Sequence, residues 1–154
     1  MILLVFFCKS DNLNDILDFS KKYWLDENCA RTTACGILDY YKYTDASEIL
    51  FKSFAPFGEG LGERLTCGSV IGSLAALSYI LSEKVLSKQE ILKKADIFKE
   101  SFREEFGTIQ CSAILQPYLK QNESYPSDPV RLDICTKTIK KAVLEVERII
   151  ESLS

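Results

Sequence analysis

The segment Ser69 to Leu81, SVIGSLAALSYIL, presents small and aliphatic residues on every face of a helix. A helix that is apolar all round has to be buried. Burial on every side requires neighbours on every side, so this segment calls for further helices wrapped around it rather than a sheet with one covered face. The approach to it is also unusual, because five of the seven glycines fall between Gly58 and Gly72. Gly58, Gly60 and Gly62 alternate with Glu59 and Leu61, a spacing that permits positive φ angles or a close approach of the backbone to something else. Thr66 is a candidate cap. Cys67 stands at the joint, in the first turn of the helix, where free N–H groups and the positive end of the helix dipole favour a thiolate.

Other readings of the stretch carry less weight. Gly68 and Gly72 form a GxxxG, yet the uncharged run between Arg64 and Glu83 is only 18 residues and is diluted by Thr, Ser and Gly, which is poor for a membrane span. GEGLGERLTCG puts alternating glycines before a helix, but it lacks the Gly-Lys-Ser/Thr ending of a phosphate-binding loop and carries Glu59 and Glu63 where an anion would sit. Taken alone, the stretch reads most simply as a structural turn leading into a core helix.

A chain of 154 residues is one domain's worth and can bury a substantial core. Its formal charge of -3 and interspersed Lys and Glu leave no basic stripe for nucleic acid. There is no histidine, which removes the commonest general base, the Cys-His dyad and every imidazole ligand. Chemistry must therefore come from sulfur, carboxylate, lysine or tyrosine. The six cysteines stand at 8, 29, 35, 67, 111 and 135 with no CxxC, so zinc-ribbon and thioredoxin-type spacings are not indicated. Met1 to Phe7 is apolar but short, without a positive n-region or a small-residue cleavage site, and bulky Phe6 and Phe7 argue against a lipid anchor at Cys8. The expectation is a cytoplasmic protein with reduced thiols.

After an apolar leader over 1–11, a single helical domain is expected over 12–154. Leu13, Ile16, Leu17, Ser20 and Trp24 follow helical spacing, and Asn28 is a good N-cap for a second helix with Ala30, Thr33, Ala34, Ile37, Leu38 and Tyr41 on one stripe. Cys29 lies in its first turn, and Cys35 is rotated by roughly 240° and faces elsewhere. A third helix starts at Thr44 or Asp45 and ends at Pro56. The central helix occupies about 66–82. Ser87 and Glu90 form a capping box ahead of Ile91, Ala95, Phe98, Phe102 and Phe106, with Gly107 as the stop. Thr108 caps a helix holding Cys111, Ile114 and Leu115. After a polar, mobile loop over 121–129, Arg131 to Leu153 forms the last helix, on which Cys135, Ile139, Ala142, Val146 and Ile149 align. The fold class expected is an all-α bundle of six or seven helices around a buried central one.

Cys29, Cys67, Cys111 and Cys135 each fall in or near the first turn of an expected helix, a position that lowers a thiol's pKa and favours nucleophilic attack, disulfide exchange or metal ligation. A free cysteine is also a common small core residue, but four placed alike suggest a shared sulfur site. Asn28-Cys29-Ala30, the glycine stretch from Phe54 to Gly62, Thr66 to Gly72 (TCGSVIG), Phe102 to Cys111 (FREEFGTIQC) and Cys135 after the proline loop together resemble the C_GCAxxG_C_C family, small redox-active cytoplasmic proteins named after a CGCAxxGCC cysteine motif. The resemblance covers about residues 12–150. It implies a helical fold and a cysteine-based redox or metal-cluster role, and the chain is also similar to the non-haem part of split-Soret cytochromes. Haem is not implied, since neither CxxCH nor an axial histidine is present. Ser69 stands where the family commonly has Ala. Cys8 and Cys35 match no position of the motif; Cys35 reads as a core residue.

The leading expectation is a thiol-based redox or electron-transfer protein, a cysteine-dependent oxidoreductase if it is an enzyme. Cys29, Cys67, Cys111 and Cys135 would converge either as exchanging pairs or as ligands of an iron–sulfur cluster or another thiophilic metal. Gly58, Gly60, Gly62 and Gly68 would let backbone N–H groups and helices approach the sulfurs. The rival is a non-catalytic module, binding a small ligand or a protein, in which the cysteines are structural. Carboxylate or lysine catalysis near Glu59, Glu63 and Arg64 is a weaker third. A redox partner protein is expected, a homodimer is left open, and neither a nucleic acid nor a membrane span is foreseen.

Overall fold

The computed structural model describes residues 15–24, 28–122 and 128–153. The leader 1–11 with Cys8, the start of the first helix at Leu13 and the loop residues 123–127 lie outside the described residues. The fold is an all-α single-domain bundle. Its helices are α1 (Ile16–Lys21), α2 (Cys29–Tyr40), α3 (Thr44–Ser53), α4 (Gly68–Glu83), α5 (Lys88–Phe106), α6 (Cys111–Leu115) and α7 (Asp128–Glu151). Among the described residues no helix is long and apolar enough to cross a membrane.

Short-range signals set most boundaries. Asn28 caps α2, its side-chain oxygen accepting from the Arg31 N–H at 3.0 Å. Ser87 and Glu90 form the reciprocal capping box of α5, and Gly107 ends that helix in the left-handed region at φ 72°. Three helices begin elsewhere than expected. The cap of α4 is Cys67 rather than Thr66. Thr66 instead pairs with Gln110 in an isolated antiparallel bridge, and Gln110, not Thr108, is the cap of α6. The last helix opens at Asp128, one turn ahead of Arg131, because Pro129 is acceptable in a first turn, where its missing N–H would have had no partner.

Helix α4 is buried along most of its length and packs on α2, α5 and α7. The centre is shared with α2, on which every residue from Cys29 to Asp39 except Arg31 is buried and which touches α1, α3, α4 and α7. The two helices lie unusually close at Gly72, where a methyl group would fall 2.2 Å from the Ala30 carbonyl oxygen and 2.3 Å from Thr33 Oγ1. Phe98 and Phe102 of α5 and Val143, Val146 and Ile149 of α7 complete the core. This packing brings the first turns of α2 and α4 together beside the middle of α7.

Candidate thiol site

The segment between α3 and α4 is the most constrained part of the backbone. Glu59, Gly60, Leu61 and Gly62 all have positive φ, at 53°, 61°, 64° and 71°, and Arg64 follows at 59°. A run of this kind is a turn of left-handed helix, costing roughly 1 to 2 kcal/mol at each non-glycine residue, so surrounding contacts must impose it. One such contact is the hydrogen bond from the Leu65 N–H to the Gly60 carbonyl at 3.0 Å. Gly58 has an ordinary extended conformation, but a methyl group there would crowd the Asn28 side chain at 3.1 Å. The Asn28 amide donates to the carbonyls of Phe54 (3.0 Å) and Ala55 (3.1 Å), tying the start of α2 to the start of the glycine loop.

Beyond the loop, the Thr66–Gln110 bridge aligns two cysteines. The Cys67 N–H donates to the Ile109 carbonyl at 2.8 Å and the Cys111 N–H to the Leu65 carbonyl at 2.6 Å. Residues 65, 67, 109 and 111 flank the bridged pair on both strands, so the pleat turns the side chains of Cys67 and Cys111 to one face, diagonally opposed. Gly60 lies beneath this pair; a methyl group on it would meet the Leu65 nitrogen at 2.5 Å and Cys111 Cβ at 3.0 Å. Gly68, the first residue of α4, leaves room for another sulfur: a methyl group there would fall 2.5 Å from Cys29 Sγ. Cys135 approaches from α7.

The charge of Cys67 is felt at each of the other three sulfurs. Burial pushes the Cys29 thiol up to about 11, and the charge of Cys67 adds to the rise. Burial likewise raises Cys111 to about 12, with Cys67, Cys29 and Glu59 adding and Arg64 opposing. Cys135 also reaches about 12, through burial first and then Cys29, Cys67 and Cys111, against the pull of Arg131. Cys67 rises through burial alone, opposed by the Ser69 N–H, the Ser69 hydroxyl, the Val70 N–H and the Thr138 hydroxyl. The Glu59, Cys29 and Ala30 N–H groups oppose the rise at Cys29. The expected lowering by helix N-termini is thus present at Cys29 and Cys67 but outweighed by loss of water, which favours the neutral thiol at all four positions. For Cys135 the positional premise itself is corrected, since it lies two turns into α7.

Cys29, Cys67 and Cys111 are buried, and Cys135 is half-buried. Cys35 is fully enclosed, with its Sγ donating to the Ser47 carbonyl at 3.4 Å. The residues that sequence reading missed are the hydroxyl pair beside Cys67. Ser69 Oγ and Thr138 Oγ1 lie 3.0 Å apart across the α4–α7 contact, and Thr138 also donates to the Cys135 carbonyl at 2.8 Å. Ser69 was visible as a departure from the family pattern, whereas Thr138 carries no local signal. The donor chemistry suits a thiophilic ion, yet among the described residues no group of three or more Cys, Asp or Glu stands ready to hold one.

Residues 27–149, a span that contains all four of these cysteines, match the family model described as "Putative redox-active protein (C_GCAxxG_C_C)". The chain belongs to the C_GCAxxG_C_C family. No curated protein and no solved structure matches it. Redox activity is what the family's description supplies; the C_GCAxxG_C_C name itself marks cysteines and glycines, the two residue types that shape this site.

Proposed function

We propose that this C_GCAxxG_C_C protein is a dithiol redox protein in which Cys29, Cys67, Cys111 and Cys135 work as one site. What supports the reading most is Cys29 Sγ against Gly68, next to Cys67, and the bridge that sets Cys67 and Cys111 on one face, with Cys29, Cys111 and Cys135 each raised by the charge on Cys67. Two of these thiols transfer two electrons and two protons to a disulfide-bonded partner, forming one intramolecular disulfide while the partner leaves as a dithiol. Cys67 is central because hydroxyl and N–H donors surround it and no neighbouring sulfur opposes its ionisation. The cytoplasm is the compartment this reading takes, since a site cycling through a disulfide needs a reducing pool to return it.

The test is a redox titration against a thiol–disulfide buffer, followed by mass spectrometry of trapped thiols. Wild type should take up two electrons per disulfide with one defined midpoint. Cys67→Ala should abolish that transition and Cys35→Ala should leave it in place at some loss of stability. Equal loss from both substitutions would overturn the assignment. Iron, zinc and sulfide analysis after anaerobic purification tests the second reading, a cluster or thiophilic metal used for electron transfer, which the N–H donors around Cys29 and Cys67 would also serve. Stoichiometric metal lost in Cys67→Ala would replace the dithiol reading with that one, and the absence of both signals would favour an interaction module with structural cysteines.

A further inference from the structure

We infer that Cys135 is the sulfur at which this site exchanges with its partner, a disulfide-bonded protein or small molecule, while Cys29, Cys67 and Cys111 act behind it. The inference rests on the dithiol reading above and deepens it. Exchange requires one sulfur to approach a partner's disulfide along the S–S axis, which a sulfur under full cover cannot do. Cys29, Cys67 and Cys111 retain 7%, 6% and 8% of their exposure, and Cys135 alone of the four is more than marginally open. It sits in mid-helix on α7 with exposed Asp133, Thr136 and Lys137 near it in sequence, so a partner meets a rigid helical surface. Arg131, one turn earlier, is buried and places a positive charge that favours the Cys135 thiolate.

The sequence of bonds follows. Cys135 gives its proton to water, and its thiolate attacks one sulfur of the partner's disulfide. That S–S bond breaks, the electron pair leaves on the partner's other sulfur, and a mixed disulfide forms. A buried thiolate of the site, its own proton also released, then attacks Cys135 Sγ; the mixed disulfide breaks and the second partner sulfur leaves with its electron pair. The partner's two thiolates collect two protons, and the protein retains one intramolecular disulfide.

The experiment uses reduced, native protein carrying Cys8→Ser, so that only cysteines in the described residues report, with 5,5′-dithiobis(2-nitrobenzoate) as the probe at pH 8.5. Rapid acid quenching and peptide mapping should place the first adduct on Cys135. A second equivalent of thionitrobenzoate should follow as a buried thiol displaces the first. Cys135→Ser should slow the first release at least tenfold. Cys35, fully enclosed, serves as an internal check, because its labelling reports unfolding. The mapping of the first adduct in the Cys8→Ser protein decides the question even if Cys135→Ser fails to fold. A first adduct on Cys29, Cys67 or Cys111, or an undiminished rate in folded Cys135→Ser, overturns the inference. A first adduct on Cys135 with no second release would instead sustain the exchange position and count against the shared dithiol site.

Discussion

At the scale of single residues, the site turns on two hydroxyls whose protons can be counted. Thr138 has one proton for the Cys135 carbonyl or the Cys67 sulfur, and the Ser69 proton serves either Thr138 Oγ1 or the Cys67 sulfur. When Cys67 is a thiolate the sulfur is the better acceptor, because hydrogen bonds to charged groups are the stronger ones. Ser69→Ala should therefore cost little stability, about 1 kcal/mol, while moving the first thiolate absorbance at 240 nm to higher pH. Ser69→Thr, which keeps the hydroxyl, should restore the early absorbance. A spectrophotometric titration beside a urea melt separates the two effects, and an unchanged titration in Ser69→Ala would remove this role. The identity of Ser69 was legible as a departure from a family pattern. Its meaning was not, because the partner hydroxyl arrives from α7, 69 residues further along.

Among the elements, the contact between α2 and α4 and the left-handed turn ahead of α4 set the positions of the sulfurs. Gly72→Ala drives a methyl group into the α2 backbone, so the helices must part. The expected loss is about 1 to 3 kcal/mol, read as a lowered thermal midpoint, together with a changed redox midpoint because Cys29 and Cys67 lie on the two helices. Gly60 and Gly62 make a matched pair, since both have positive φ but only Gly60 is crowded. Gly62→Ala should cost about 1 kcal/mol of backbone strain and keep the redox midpoint; Gly60→Ala should shift the midpoint as well, by displacing Cys111. Equal behaviour in redox titration would mean the turn is structural only. Such distinctions explain what could be read in advance. Asn28, Ser87 with Glu90, and Gly107 act within one helical turn and were legible. The positive φ at Glu59 and Leu61 was not, because neither residue prefers that region and tertiary contacts impose it. The burial of α2 was likewise masked by Thr32, Thr33 and Asp39, polar residues that satisfy themselves inside: both Thr32 and Thr33 donate back to carbonyls of their own helix, and Asp39 accepts from the Tyr23 hydroxyl and pairs with Lys22.

For the whole molecule, the raised thiols make stability depend on pH in one direction. In the unfolded chain a cysteine ionises near its ordinary value of 9.0, whereas folded Cys29, Cys111 and Cys135 hold their protons to about 11 or 12. The folded state thus binds more protons across that window, so the contribution is complete below pH 9 and is lost as pH rises toward 11 to 12. Urea midpoints of the reduced protein should fall between pH 8.5 and 10.5, and less steeply in a Cys111→Ser, Cys135→Ser double variant. Parallel slopes would mean that other groups carry the alkaline loss; burial also raises Tyr23 and Tyr41 and makes that comparison necessary. The bridge from Thr66 to Gln110 has a consequence for biosynthesis. It closes a span that contains all of α4 and α5, and such closure is entropically slow compared with forming either helix. As the chain leaves the ribosome, Cys29 and Cys67 emerge long before the strand that pairs with Thr66, and the last sulfur waits for α7. The four-cysteine site proposed above can therefore be completed only when the final helix docks.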